Sequence, residues 1–174
     1  MKKFLAMFSI ALVAMLSMSS CHGVCPSADE ESVLIDKPWF FGHGGVDMTP
    51  VETGLKWVWW STSSETFKIV PFKHQVNMDD LFSDDNTPLD FQTIIITQIQ
   101  KGKSPILLQN YGADWFNTNI YNYYCNLVRD HISQHSPFDL MSNRIIMNDI
   151  DSKVLKQMQD YVAQLSKEKE FPIV

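Results

Sequence analysis

The apolar residues of this chain change their period once, near residue 104, and that change restricts the fold more than any other feature. Before it, Phe72, His74, Val76 and Met78 alternate with Lys73, Gln75 and Asn77. Such a period of two belongs to a strand with one wet face. Val33-Leu34-Ile35, Leu55 to Trp60, Thr66 to Met78 and Leu89 to Gln100 all read as strands, the last centred on Ile94-Ile95-Ile96. Lys37-Pro38, the glycine-rich stretch through Gly42, Gly44 and Gly45, Thr53-Gly54, and the acidic loop 79–88 punctuate them. After Lys101-Gly102-Lys103-Ser104-Pro105, Phe116, Ile120, Tyr123, Tyr124, Leu127, Val128 and Ile132 recur at spacings of three and four. Met147, Ile150, Val154, Met158, Tyr161 and Leu165 do the same beyond the break at Ser136-Pro137. Strands first and helices second predict an α+β domain, with a mostly antiparallel sheet in the N-terminal half. Two amphipathic helices follow, then a short final strand beginning at Phe171.

The N-terminus carries an address. Lys2-Lys3, a mostly apolar run from Phe4 to Met18, and Ser19-Ser20 before Cys21 have the parts of a secretory signal. The run is shorter than the roughly 20 residues a membrane-spanning helix needs. Met18-Ser19-Ser20-Cys21 resembles a bacterial lipobox, in which the cysteine takes lipid and becomes the mature N-terminus. The competing reading is an ordinary signal cut with Cys21 left as a thiol. The organisation expected is a signal peptide over residues 1–20, a tether over 21–32 and one folded domain over 33–174. The chain would be exported and lipid-anchored to a bacterial membrane, facing the periplasm.

Charge and motif content narrow the function. The chain of 174 residues has a formal net charge of −6, and residues 1–20 contribute two lysines and no acid, so the exported part is more acidic still. That disfavours nucleic acid and electrostatic docking on anionic lipid. Cys25 and Cys125 are the cysteines left to pair if Cys21 is acylated. No Gly-x-Ser-x-Gly elbow, phosphate-binding loop or paired carboxylates stand out. His131 and His135, four apart, lack the glutamate of a zinc-protease motif, and the Asp79–Asp85 cluster lacks calcium-loop spacing. No catalytic residue, metal site or cofactor is therefore expected. A hydrolytic site around His43 and Asp47 is the remaining enzymatic reading.

Trp39, Trp57, Trp59 and Trp60 are the site candidates besides Cys21. Core packing, a belt against lipid headgroups, and a sugar or protein contact all fit them. A strand would place Trp57 and Trp59 on one face and Trp60 on the other.

Several strings, in order, resemble the SPFH or band 7 family (stomatin, prohibitin, flotillin). They are Phe41-Gly42-x-Gly44-Gly45-Val46; Pro50-Val51-x-Thr53-Gly54-Leu55; Asp84-Asp85-Asn86-Thr87-Pro88 before the strand through Gln98; Val128-Arg129-Asp130-x-Ile132; and Asp139 to Arg144. The resemblance spans residues 33–174. It implies an SPFH-like α+β fold and a non-enzymatic membrane scaffold that assembles laterally as a homo-oligomer. Such a scaffold organises lipid and partner proteins, in some cases a membrane protease. Acylated Cys21 would replace the family's usual hydrophobic anchor, and the family's long coiled coil is not seen by Val174. The alternative is a lipoprotein module binding sugar or peptide through its aromatic surface.

Overall fold

A computed structural model describes residues 21–39 and 42–174. The signal segment with its Met18-Ser19-Ser20, and the Phe40-Phe41 pair, lie outside the described residues. The chain is α+β, with antiparallel strands in its first half and helices after them. It divides into two compact units between Phe67 and Lys68.

The first unit holds β1 (Cys21–Val24), β2 (Glu30–Asp36), β3 (Gly45–Val46), β4 (Lys56–Trp59) and β5 (Thr62–Lys68). β1 pairs antiparallel with β4, and β2 lies between β3 and β5. Ser32 also bridges Val51, and side-chain bonds from Ser32 to Thr66 (2.8 Å) and from Thr62 to Asp36 (2.8 Å) fasten β2 to β5. Val24, Leu34, Val51 and Val58 form the core of this unit. The segment expected to be a tether is thus largely structured. Its first four residues are β1, and β2 begins at Glu30 rather than Val33. Cys-His-Gly-Val has no apolar alternation of its own; β4 supplies the partner that makes it a strand.

The second unit is built on one hairpin, β6 (Phe72–Phe82) with β7 (Pro88–Thr97), in the register His74↔Ile95 and Val76↔Thr93 with a bulge between Met78 and Leu81. The long strand expected from Thr66 is interrupted over residues 69–71, between the end of β5 and the start of β6. A tight loop joins the hairpin. Ser83 donates its hydroxyl to Asp85, and the Thr87 N–H bonds Ser83 Oγ at 3.1 Å. Those hydroxyl and amide donors hold the Asp85 carboxyl below its ordinary pKa of 3.8. Asp85 is therefore spent on closing its own turn.

Four helices follow: α1 (Ser104–Tyr111), α2 (Asn122–Ile132), α3 (Pro137–Ser142) and α4 (Arg144–Glu168). A π-helical turn, Phe116–Tyr121, leads directly into α2. α2 and α4 are the two amphipathic helices the periodicity predicts. They bury Val128, Ile132, Ile150 and Val154 against Val76, Met78 and Leu81 of β6. α1 and α3 are additions. Each has proline in its first turn, where the missing N–H costs nothing, so Ser104-Pro105 and Ser136-Pro137 start helices rather than only ending elements. Where the final strand is expected, the chain pairs back through an isolated bridge: Gln98 and Val174 exchange both backbone hydrogen bonds at 2.9 Å, and Ile99 bridges Ile173. Asp149 pairs with Lys153 at 2.7 Å, and Asp139 accepts the Ser136 hydroxyl at 2.9 Å.

His74 sits inside an aromatic cluster. Its ring stacks on Phe116 (3.6 Å, 9°), meets Phe72 and Trp115 edge-on, and reaches Thr97 Oγ1 at 3.0 Å through Nε2. Desolvation in this packing holds its pKa below 6.5. The folded state therefore binds fewer protons than the unfolded one as pH falls through 6.5. The contribution of His74 to stability is full above that pH and drops as acidification continues toward the lowered folded pKa. His74→Gln should flatten that acid limb in denaturant midpoints measured against pH.

Candidate functional site

The β1–β4 ribbon gathers Cys21, Trp57 and Trp59 of the sequence-predicted site residues. Its register sets Cys21 opposite Trp59, His22 opposite Val58, Gly23 opposite Trp57 and Val24 opposite Lys56. Directly opposed side chains share a face, and faces alternate along a strand. One face therefore carries Cys21, Gly23, Trp57 and Trp59, and the other carries His22, Val24, Lys56 and Val58. The second face is the inner one. Val24 and Val58 are buried there against Leu34 and Val51, while His22 and Lys56 stay exposed.

The first face is open. Trp57 and Trp59 are 68% and 67% exposed, and Cys21 is an exposed free thiol. Gly23 makes room on it: a Cβ there would lie 2.7 Å from Leu55 Cδ1 and 4.0 Å from Trp57 Cζ3. Leu55, itself mostly exposed, thus lies over Gly23 beside Trp57. Neither strand places a charged side chain on this face, because Lys56 falls on the other. Trp60 lies in the turn between β4 and β5, packed edge-on against Trp39 at 4.9 Å, and both rings remain exposed. Core packing is thereby excluded for all four tryptophans. Leu55 and Gly23 were not singled out from the sequence. The alternation 55, 57, 59 carried the signal for Leu55, whereas the role of Gly23 depends on a strand pairing that no local pattern reveals.

The other candidates are not brought together. His43 is exposed, and Asp47 accepts the Thr49 N–H at 2.9 Å within its own turn. His131 bonds Gln157 through its ring at 2.9 Å. Among the described residues no group of three or more His, Cys, Asp or Glu side chains is placed to hold a metal ion. Cys125 carries a free thiol, and burial pushes its pKa up, with the Tyr121 hydrogen bond and the Arg129 charge acting the other way. That is the environment of an unreactive thiol.

A second surface feature lies in the helical unit. An apolar cleft of about 620 Å³ opens between β7 and α4, lined by residues including Ile94, Ile96, Tyr124, Val154, Leu155 and Val174. Ile94 and Ile96 belong to the outer face of β7 and are 59% and 58% exposed. Among the described residues no helix is long and apolar enough to cross a membrane.

The family model described as SPFH domain / Band 7 family matches residues 29–170 of the chain. No curated protein matches it.

Proposed function

We propose, since this chain belongs to the SPFH domain / Band 7 family, that it is a lipid-anchored scaffold on a bacterial membrane, facing the periplasm. The family's proteins are membrane-associated and generally non-enzymatic, which supports a membrane scaffold role in its coarse form. The finer reading has Cys21 acylated, the chain assembling laterally with its own copies, and the assembly organising lipid or membrane proteins, a membrane protease among the partners considered.

The observation that carries the anchor is the position of Cys21. It is exposed, it stands at the start of β1, and it shares a charge-free face with Trp57 and Trp59. A lipid on its sulfur would leave from that face without disturbing Val24 or Val58 beneath. Two or more acyl chains, at about 0.8 kcal/mol per buried methylene, anchor durably. Mass spectrometry of the mature N-terminus should show acylated Cys21, and Cys21→Ser should move the chain from the membrane to the soluble fraction. A native Cys21 bearing a free thiol would end the anchor reading. Lateral assembly has its own measurement: size determination in detergent over a wide concentration range should show oligomers, and a strict monomer would count against it.

The exposed indoles also fit a sugar- or peptide-binding lipoprotein. That reading requires a saturable change in tryptophan emission with a soluble ligand, in the absence of any bilayer.

A further inference from the structure

We propose that the face formed by Cys21, Leu55, Trp57 and Trp59 lies in the headgroup region of the bilayer, as a second and non-covalent membrane contact that fixes how the first unit meets the surface. The inference deepens the scaffold reading and rests on it for the acyl chain, but its decisive measurement does not require that chain.

Three observations choose a bilayer over the other occupants. First, the pairing Cys21↔Trp59 makes the anchoring sulfur and an indole cross-strand neighbours on one face. Any lipid carried by Cys21 leaves the protein from the side that Trp57 and Trp59 already occupy. A sugar or peptide bound there would have to share that space with the acyl chains. Second, the face is apolar and indole-rich, and β1 and β4 place no charge on it. Tryptophan prefers the membrane interface because its body is apolar and its N–H is polar. Third, the ribbon is anchored from behind. Val24 and Val58 dock it on Leu34 and Val51, so the outer face is presented by a fixed two-stranded platform. Attraction to anionic lipid plays no part, because the chain is acidic and Lys56 points to the other face. Contact is therefore expected with zwitterionic lipid and without salt dependence.

The test uses the full mature chain, acylated, in phosphatidylcholine vesicles. Lipids brominated just below the headgroups should quench the tryptophan emission more strongly than lipids brominated near the chain ends. Emission should also shift to the blue relative to the chain in detergent-free buffer. Trp39→Phe and Trp60→Phe, carried in every sample, remove the two other exposed indoles, and the buried Trp115 of the other unit supplies the unquenched background. In the double variant Trp57→Ser/Trp59→Ser the shallow quenching should largely disappear while the acyl chain keeps the protein on the vesicle. An unchanged melting midpoint is expected for the variant, since both side chains lie outside the core. The non-acylated Cys21→Ser chain should still bind phosphatidylcholine vesicles weakly, at an affinity unchanged by salt, and removing both indoles should cost it about tenfold or more.

An acylated chain that sits on vesicles with unshifted tryptophan emission, open to aqueous iodide and untouched by shallow bromines, would overturn the proposal and leave the scaffold reading standing. A native Cys21 found unmodified would remove the anchor, yet vesicle binding by the unmodified chain through Trp57 and Trp59 would still support this face as a membrane contact.

Discussion

Phe171→Ala is expected to destabilise the helical unit by about 4 kcal/mol, the largest loss of any single truncation considered for this chain. Phe171 is 2% exposed, and its ring meets Tyr111 (4.6 Å, 71°) and Trp115 (6.0 Å, 68°) edge-on. Those contacts join α1, the segment before the π-helical turn, and the residues just past α4. Tyr111 strengthens the junction by donating its hydroxyl to the Lys169 carbonyl at 2.5 Å, with the Leu165 carbonyl 3.2 Å away. Ser166 does likewise, donating to the Phe171 carbonyl at 3.0 Å. Removing the ring empties a site whose walls belong to separate segments, so partial collapse recovers little. Urea unfolding followed by far-ultraviolet circular dichroism measures the loss. A change below about 1 kcal/mol would show that the C-terminal segment is not part of the cooperative unit.

Ile132→Ala should cost about 3 kcal/mol, and Ile96→Ala less than about 0.5 kcal/mol. The contrast separates two residues that look alike in the sequence. Ile132 is 1% exposed and belongs to the cluster of Val76, Met78, Leu81, Val128, Ile150 and Val154, where β6, α2 and α4 meet. Ile96 lies on the outer face of β7 opposite Lys73 and keeps more than half its surface in water. Truncating Ile132 leaves a cavity among three elements, whereas truncating Ile96 removes only surface contact. Equal losses in the two variants would mean that the outer face of β7 is covered in the folded protein.

The hairpin, α2 and α4 were legible from the sequence because each shows its own period, whereas the extended segment at Phe171 was expected without its partner Ile99. The sharing of one face by Trp57 and Trp59 was legible too, as a local property of any strand. What stayed hidden depends on non-local partners or on chemistry with two meanings. β1 has no pattern of its own, and its pairing with β4 joins residues far apart in the chain. The run Ile94-Ile95-Ile96 looks uniformly buried, yet the pleat turns only Ile95 inward. A proline after a serine marks both the end of one element and the first turn of the next, which concealed α1 and α3. The π-helical turn adds a residue to each turn while still presenting Phe116 and Ile120 inward, so the spacing of three and four did not distinguish it from α-helix.

The start of β1 at Cys21 has a consequence for assembly. With lipid on that residue there is no slack between the grease and the sheet, because Cys21 already lies in β1, in register with Trp59 of β4. The first unit, held this way, would not swing like a float on a line; its tilt would be set together with its height. Copies drifting in the same leaflet would then collide already facing the same way up. Much of the rotational freedom that association normally takes from free molecules would have been surrendered in advance, so shallow and individually feeble edge contacts could suffice to hold neighbours together.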